Sequence, residues 1–171
     1  MSDRFLIRTA TIADVEVIAR HRAAMFRDMG SLPDQLVPAL ESGTITYLRR
    51  AVAEGEYVGW LAAPTRKPGE IIAGAGVQVR RVLPFPRPDD SPPRIASGLQ
   101  AIVLNVYTER GWRRQGLARM LMARVIDWAR AQRIDSLVLH ASADGRALYE
   151  QLGFAQTNEM RYEDDLAPDR T

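Results

Sequence analysis

The sequence lacks cysteine entirely over its 171 residues. This absence excludes a disulfide framework and a thiol nucleophile, so a mechanism through an acyl-cysteine is ruled out. No apolar run approaches the length needed to cross a membrane. The N-terminus also lacks the basic and apolar regions of a secretory signal. We therefore expect a soluble cytoplasmic protein.

The net charge of the chain is also small. The chain has 23 Lys and Arg against 21 Asp and Glu, a net charge of +2, which is too little to favour nucleic acid as a partner. Trp112 is the sole aromatic residue among the arginines of residues 110–119. Apolar residues at 46% and charged residues at 26% are ordinary globular values. The length predicts a single domain over residues 1–171.

The stretch from Val103 to Arg133 has the clearest pattern in the sequence. Residues 103–108 read V-L-N-V-Y-T and predict a strand buried on both faces. Residues 109–115 are polar and predict a turn. From Gly116 onward the apolar residues recur at helical spacing. They predict an amphipathic helix with an apolar face made of Leu117, Ala118, Leu121, Met122, Val125, Trp128 and Ala129.

The start of this helix is a candidate anion site. The first N–H groups of a helix lack partners within it and carry the positive end of its dipole, so a phosphate is a natural ligand there. Gly116 has no Cβ and lets a ligand oxygen approach the backbone. Arg113 and Arg114 add forked donors that suit phosphate. The alternative is an ordinary turn with two solvated arginines; a P-loop is disfavoured because no Gly-Lys-Ser/Thr follows.

Two motifs in this order resemble the GCN5-related N-acetyltransferase (GNAT) family. Residues 113–118, R-R-Q-G-L-A, fit the pattern (Gln/Arg)-x-x-Gly-x-(Gly/Ala) and follow the strand residue Thr108 by five positions. Residues 142–154 resemble the second signature, a short helix that carries Tyr149 and ends in Leu-Gly-Phe. With the helix and strand between them, the two motifs extend the resemblance over about residues 102–162.

The resemblance implies an α/β (α+β) fold with a mixed, mostly antiparallel central sheet of six to seven strands, flanked by helices on both faces. The pattern of apolar and polar residues along the sequence agrees in outline with this fold. Strands are expected at residues 4–8, 57–63, 71–82, 136–140 and 157–162. Helices are expected from Thr11, a cap paired with Asp14, to about Met29, from 45 to 54 after the cap Thr44, and from 142 to 152.

Three irregular segments are also predicted. Gly74 and Gly76 interrupt a strand and indicate a bulge or a close backbone approach. Residues 84–93 contain five prolines and predict a loop outside the central sheet. Residues 163–171 predict a frayed tail.

The resemblance further implies acetyl-CoA as co-substrate, with no metal. Its pyrophosphate would lie on the helix start and its pantetheine arm along residues 106–108, as an added strand would. The thioester carbonyl would lie near the N–H of Val106 or Tyr107. Ser142 stands where the family usually has Asn; it can cap the helix but puts a side-chain amide contact in doubt. The cofactor-binding set is Val106, Tyr107, Thr108, Arg113, Arg114, Gln115, Gly116, Leu117, Ala118, Ser142 and Tyr149.

Tyr149 is, by resemblance, the general acid that protonates the leaving thiolate. The alternative is a tyrosine that packs beside Leu148 and Leu152. The general base is not assigned, since ordered water can take that role. Side-chain candidates are His21, Asn105, Glu109 and His140.

The expected reaction is acetyl transfer from acetyl-CoA to a primary amine by direct attack in a ternary complex. The acceptor, a small molecule or a peptide amine, cannot be read from the sequence; residues 31–43 and 84–93 are expected to cover its site. An alternative is a non-catalytic module that senses acyl-CoA. Neither nucleic acid nor a membrane is expected as a partner, whereas homodimers are common in such folds.

Overall fold

A computed structural model describes residues 4–157, 159, 160 and 162. The chain divides into two compact units, residues 1–140 and 141–171, and the single domain expected from the length stays a prediction. The predicted tail lies outside the described residues. So do positions 158 and 161 of the predicted last strand.

The first unit contains both strands and helices, and a short helix follows in the second. The first unit contains β1 (Phe5–Thr9), α1 (Val15–Asp28), α2 (Val37–Ala53), β2 (Tyr57–Pro64), β3 (Ala73–Arg81), β4 (Phe85–Arg87), β5 (Arg94–Ala96), β6 (Leu99–Thr108), α3 (Leu117–Ala131) and β7 (Ser136–Leu139). The second unit contains α4 (Arg146–Gln151). Within the described residues, no helix is both long and apolar enough to span a membrane.

The central sheet has the strand order β1-β2-β3-β6-β7, and β4 pairs with β5 in a separate two-stranded sheet. Pairing is antiparallel throughout, except that β6 and β7 run parallel. The prediction of a mixed, mostly antiparallel sheet is therefore confirmed. Five of the described strands lie in the central sheet and two in the small one.

Helices cover both faces of this sheet, as predicted. Neighbouring residues of a strand point to opposite faces, and β2 shows what each face contacts. Trp60 packs edge-on against Trp128 of α3, with ring centroids 5.7 Å apart. Leu61 belongs instead to a buried cluster with Val15 and Ile18 of α1 and with Leu48 of α2. Thus α3 covers one face, and α1 with α2 covers the other.

The predicted apolar face of α3 is confirmed, because Leu117, Leu121, Met122, Val125 and Ala129 are all buried. The prediction that the strand before it is buried on both faces is wrong. Along β6, buried residues alternate with half-buried ones up to Asn105, and residues 106–108 are half-buried. One face of the end of β6 is therefore only partly covered.

The predicted start of α1 is confirmed by its hydrogen bonds. Thr11 and Asp14 form the capping box around a short 3-10 turn that leads into the helix. Arg8 donates to both carboxylate oxygens of Asp14, at 2.8 and 2.6 Å. These bonds hold the pKa of Asp14 down at about 2. The helix ends before Gly30, whose φ is +70°.

The predicted start of α2 is wrong. The helix begins at Val37, eight residues before the expected position, and Thr44 is buried within it instead of capping it. Pro38 lies in the first turn, where its missing N–H has no helical partner to lose. Proline here therefore marks the start of a helix and not a loop.

The proline-rich residues 84–93 are more ordered than predicted, because ion pairs hold β4 and β5 together as a hairpin. Asp90 pairs with Arg87 at 3.2 Å and with Arg94 at 2.8 Å. Arg94 also pairs with Asp135 at 2.8 Å. Asp135 in turn accepts backbone N–H groups at the start of β6. The segment lies outside the central sheet, as predicted, but it is not an irregular loop.

Candidate functional site

The turn before α3 leaves its backbone N–H groups open. Two residues adopt left-handed backbone conformations, Arg114 with φ +62° and Gly116 with φ +83°. Among the described residues no side chain caps this helix. The first hydrogen bond of α3 runs from the Met120 N–H to the Gly116 carbonyl, at 3.0 Å. The N–H groups of residues 115–118 are therefore available to an external acceptor.

Glycine at position 116 is required by backbone conformation more than by space. A Cβ built there would meet nothing within 4 Å, so close approach by neighbours is not the constraint. The constraint is the left-handed φ. Among non-glycine residues, Asn and Asp tolerate this conformation, whereas most others do not.

Asp28, which sequence reasoning missed, fixes the turn to the end of α1. Its Oδ1 accepts two hydrogen bonds from Arg110, at 3.1 and 2.6 Å. Its other oxygen pairs closely with Arg113. These bonds lower the pKa of the Asp28 carboxyl. No local signal marks this residue, because 85 positions separate it from Arg113.

The predicted phosphate-binding side chains have different surroundings. Arg113 is bound to Asp28, donates from Nε to the Thr108 carbonyl at 3.0 Å and lies over the Tyr107 ring. Its charge is thus already paired within the first unit. Arg114 is exposed and makes no ion pair with the described residues. Gln115 accepts a hydrogen bond from Arg4 at 3.1 Å.

Strands β6 and β7 separate beside this turn. Their parallel pairing covers Gln100 to Val103 against Ser136 to Leu139. Beyond Val103, β6 continues for five residues to Thr108. The edge of residues 104–108 that faces away from β3 is therefore not paired with any described strand of the first unit.

A bulge lies in β6 beside this edge. Gly74 pairs with Tyr107 and Gly76 with Leu104, so two residues of β6 lie opposite one residue of β3. The extra residue belongs to β6, where Asn105 has φ +56°. The predicted irregularity is thus confirmed, but the two glycines lie opposite the bulge and do not form it.

The register also fixes which backbone groups face outward. The Glu109 N–H donates to the Ile72 carbonyl at 2.9 Å, and Gly74 pairs with Tyr107 two residues earlier. Because bonded and outward-facing residues alternate along an antiparallel strand, the Tyr107 N–H faces β3. The backbone groups of Val106 and Thr108 face the open edge, in agreement with the bond from Arg113 to the Thr108 carbonyl.

A cleft of about 380 Å³ lies between the helices and the sheet in the first unit. Residues 31–43, expected to cover the acceptor site, and Asn105, a candidate base, both contribute to its wall, but the sequence did not predict the full set of lining residues. They are Arg22, Ala39, Leu40, Gly43, Thr44, Tyr47, Leu48, Tyr57, Gln78, Leu104 and Asn105. The volume lies in the range of small-molecule sites, about 300–1,000 Å³. Its wall includes the bulge residue that directly precedes Val106.

Asn105 holds this wall together through its side-chain amide. Arg22 donates to its Oδ1 at 2.6 Å. Its Nδ2 lies 3.4 Å from the buried Tyr57 hydroxyl. The Tyr57 ring lies over Gly76, where a Cβ would come within 1.9 Å of the hydroxyl oxygen. Gly76 therefore makes room for the tyrosine that supports the cleft.

Two candidates for the general base meet beside Asn105. His21 is 3% exposed, and its Nε2 lies 3.4 Å from Glu109 Oε1. Neither ring nitrogen makes a geometrically acceptable hydrogen bond with the described residues. Burial lowers the pKa of His21, and Glu109 opposes that shift. His21 and Asn105 share a small cavity of about 10 Å³, which is room for roughly one water molecule.

The second unit contains Tyr149, the predicted acid, on α4. Its ring packs edge-on against Phe154, with centroids 6.0 Å apart. Burial raises the pKa of its phenol, which keeps the proton on oxygen at neutral pH. Ser142 precedes the helix, and its Oγ accepts the Gly145 N–H at 3.3 Å. Within its own unit Ser142 therefore orders the turn that leads into α4.

Comparison with known proteins gives a family and a set of similar structures. The model described as "Acetyltransferase (GNAT) family" matches residues 22–154. A GCN5-related N-acetyltransferase from Ralstonia eutropha JMP134 is 29% identical, with a TM-score of 0.79 over 94% of this chain and 98% of that one. No curated protein matches the sequence.

Two further crystal structures show the fold at lower identity. One is a predicted acetyltransferase with acetyl-CoA from Clostridium acetobutylicum, with 24% identity and a TM-score of 0.76 over 94% of this chain and 96% of that one. The other is glucosamine-6-phosphate N-acetyltransferase from Arabidopsis thaliana, with 16% identity and a TM-score of 0.63 over 94% of this chain and 99% of that one.

Replacement of Gly76 tests the construction of the cleft wall. Gly76→Ala places a methyl group on the Tyr57 hydroxyl, and we expect the free energy of unfolding to fall by about 1–3 kcal/mol. Gly69→Ala is the matched control, because a Cβ there meets nothing within 4 Å. Urea unfolding of both variants measures the difference. Equal stability of the two would show that Tyr57 is not held as described.

Proposed function

We propose that this chain, which belongs to the GNAT acetyltransferase family, is an N-acetyltransferase that moves an acetyl group from acetyl-CoA to a primary amine. The observation that carries the proposal is the uncapped start of α3 directly beside the open edge of β6. One feature suits a diphosphate and the other an extended chain of amides. The two lie in consecutive segments, so a single elongated ligand can use both.

The residues of the turn fit the pyrophosphate of acetyl-CoA. The backbone N–H groups of residues 115–118, including Gln115, Leu117 and Ala118, would donate to its oxygens at the positive end of the helix dipole. The free side chain of Arg114 would add a charge. Arg113 has a different role in this proposal: bound to Asp28, it positions the turn and does not itself carry the phosphate.

The open edge of β6 fits the pantetheine arm. The outward backbone groups of Val106 and Thr108 would bind its amides as a neighbouring strand does. When bound, the cofactor supplies an acetyl group activated as a thioester. The N–H of Val106 would polarise its carbonyl, and the register disfavours Tyr107 for this role because its N–H faces β3.

The acceptor amine would occupy the cleft, whose wall reaches Asn105, and attack the carbonyl directly in a ternary complex. The amine must first lose a proton. His21 with Glu109, or an ordered water, would take it. Tyr149 would donate a proton to the departing thiolate, a role that the motif and the raised pKa of its phenol support. A cytoplasmic location and a homodimer stay predictions of the sequence.

A charge at position 116 tests the phosphate site. Asn and Asp have nearly the same shape, both tolerate a left-handed φ and both cap helices. Gly116→Asp adds a carboxylate beside the pyrophosphate, whereas Gly116→Asn adds none. We expect the dissociation constant for acetyl-CoA to be at least about tenfold higher in the Asp variant, a difference of roughly 1.4 kcal/mol. Calorimetric titration of both variants measures it, and equal constants would place the phosphate elsewhere.

Removal of the Tyr149 hydroxyl separates catalysis from binding. In Tyr149→Phe the ring can still pack against Phe154, so we expect unchanged affinity for acetyl-CoA and a kcat lowered by about 10²–10⁴-fold. Thiol release with an amine library measures turnover. A wild-type protein that binds acetyl-CoA but acetylates none of the amines would favour the sensor. Full activity of Tyr149→Phe would remove the hydroxyl from the mechanism.

A further inference from the structure

The cleft carries an uncompensated positive charge from Arg22. This residue lies on α1 and lines the cleft with its side chain half-buried. It donates to the neutral amide of Asn105 at 2.6 Å and lies over the Phe26 ring, 4.8 Å from its centroid. No carboxylate of the described residues pairs with it, and none lines the cleft.

Other buried or clustered charges of the first unit are neutralised locally. Arg8 pairs with Asp14, Arg94 with Asp135, and Asp28 pairs with two arginines. Arg22 differs from these, because its partners are an amide and an aromatic ring. Burial lowers the pKa of Arg22 below its usual value, yet a guanidinium remains charged at neutral pH. A partly desolvated cation without a counter-ion becomes more favourable when a ligand supplies the negative charge.

From this cleft we infer that the acceptor is an anionic amine, a small molecule that carries a carboxylate or phosphate close to its primary amino group. This inference rests on the proposed N-acetyltransferase function. Arg22 binds the anion through its free N–H donors. Since Arg22 also holds Asn105, the residue directly before Val106, the anion lies near the position of the acetyl group. The amine and the anion are therefore separated by few bonds, as in an amino acid or a phosphorylated amino alcohol.

The same geometry opposes cationic acceptors. A polyamine, an aminoglycoside or a lysine-rich peptide would bring further positive charge against Arg22, and the described residues that line the cleft include no acidic side chain. The cleft is also lined by Tyr47, Tyr57 and Gln78. These side chains can form hydrogen bonds with polar groups of a ligand. Of these, Gln78 already donates to the Tyr47 hydroxyl at 2.9 Å. Recognition of a charged group in the cleft therefore depends on Arg22.

The test compares acceptors that carry the anion with acceptors that lack it, at matched concentrations of the neutral amine. Leucine is paired with leucinamide and with 3-methylbutylamine, and phosphoethanolamine with ethanolamine; spermidine represents the cationic class. We expect kcat/KM for the anionic member of at least one pair to exceed that of its neutral partner tenfold or more. The pair that shows the preference distinguishes a carboxylate from a phosphate.

Variants of Arg22 assign the preference to this side chain. In Arg22→Gln the preference should disappear, while Arg22→Lys should retain part of it. Arg20→Gln is the matched control, because Arg20 is an exposed arginine two positions earlier on the same helix and should leave the preference unchanged. Thermal unfolding of each variant confirms that it is folded. A preference that survives in folded Arg22→Gln would overturn the inference.

A binding measurement separates failure of the inference from failure of the proposed function. N-acetylleucine and N-acetylleucinamide, with N-acetylphosphoethanolamine as the phosphate probe, are titrated into wild type and Arg22→Gln. Binding that requires both the anion and Arg22, without acetylation of any amine, would uphold the anion site and contradict the transferase. Acetylation of spermidine or of neutral amines in preference to anionic ones would uphold the transferase and overturn the anion site. Absence of both Arg22-dependent binding and anion preference would also overturn it.

Discussion

The backbone N–H groups at the start of α3 are the part of the molecule on which the functional account depends. Residues 115–118 leave these groups without a cap, and the left-handed conformations of Arg114 and Gly116 shape the turn that presents them. A helix that starts this way has an unsatisfied positive end, which favours an anion. The rest of the site consists of elements that hold this turn in place or extend the surface beside it.

Two long-range interactions hold the site in position. Asp28 at the end of α1 binds Arg110 and Arg113, so the turn is fixed to a helix on the opposite face of the sheet from α3. The bulge at Asn105 interrupts the pairing of β6 with β3, beside the part of β6 that extends past its pairing with β7. The side chain of this same residue supports the cleft. One irregular position in the sheet thereby links the edge proposed for the cofactor to the cleft proposed for the acceptor.

Local patterns were enough to predict the elements around the turn before α3. The apolar stripe of α3, the capping box at Thr11 and Asp14, and the motif at residues 113–118 depend on neighbours within a few positions, and the first two are confirmed. Features that depend on distant partners were missed or misread. The pairing of Arg113 with Asp28, the hairpin that Asp90 and Asp135 stabilise, and the position of the bulge on β6 require knowledge of which segments meet. The sequence indicated only part of the cleft, through residues 31–43 and Asn105, because its lining residues come from separate helices and strands.

The most direct test of the phosphate site is an NMR titration of the wild-type protein with coenzyme A, in which each backbone amide is followed separately. N-acetylcysteamine, which has a thiol end but no pyrophosphate, serves as the matched ligand. The account predicts that coenzyme A, but not N-acetylcysteamine, causes large chemical-shift changes in the amides of residues 115–118. Coenzyme A should also shift the amide of Val106. If coenzyme A binds while the amides at the start of α3 stay unchanged, the helix does not hold the diphosphate and the account is contradicted.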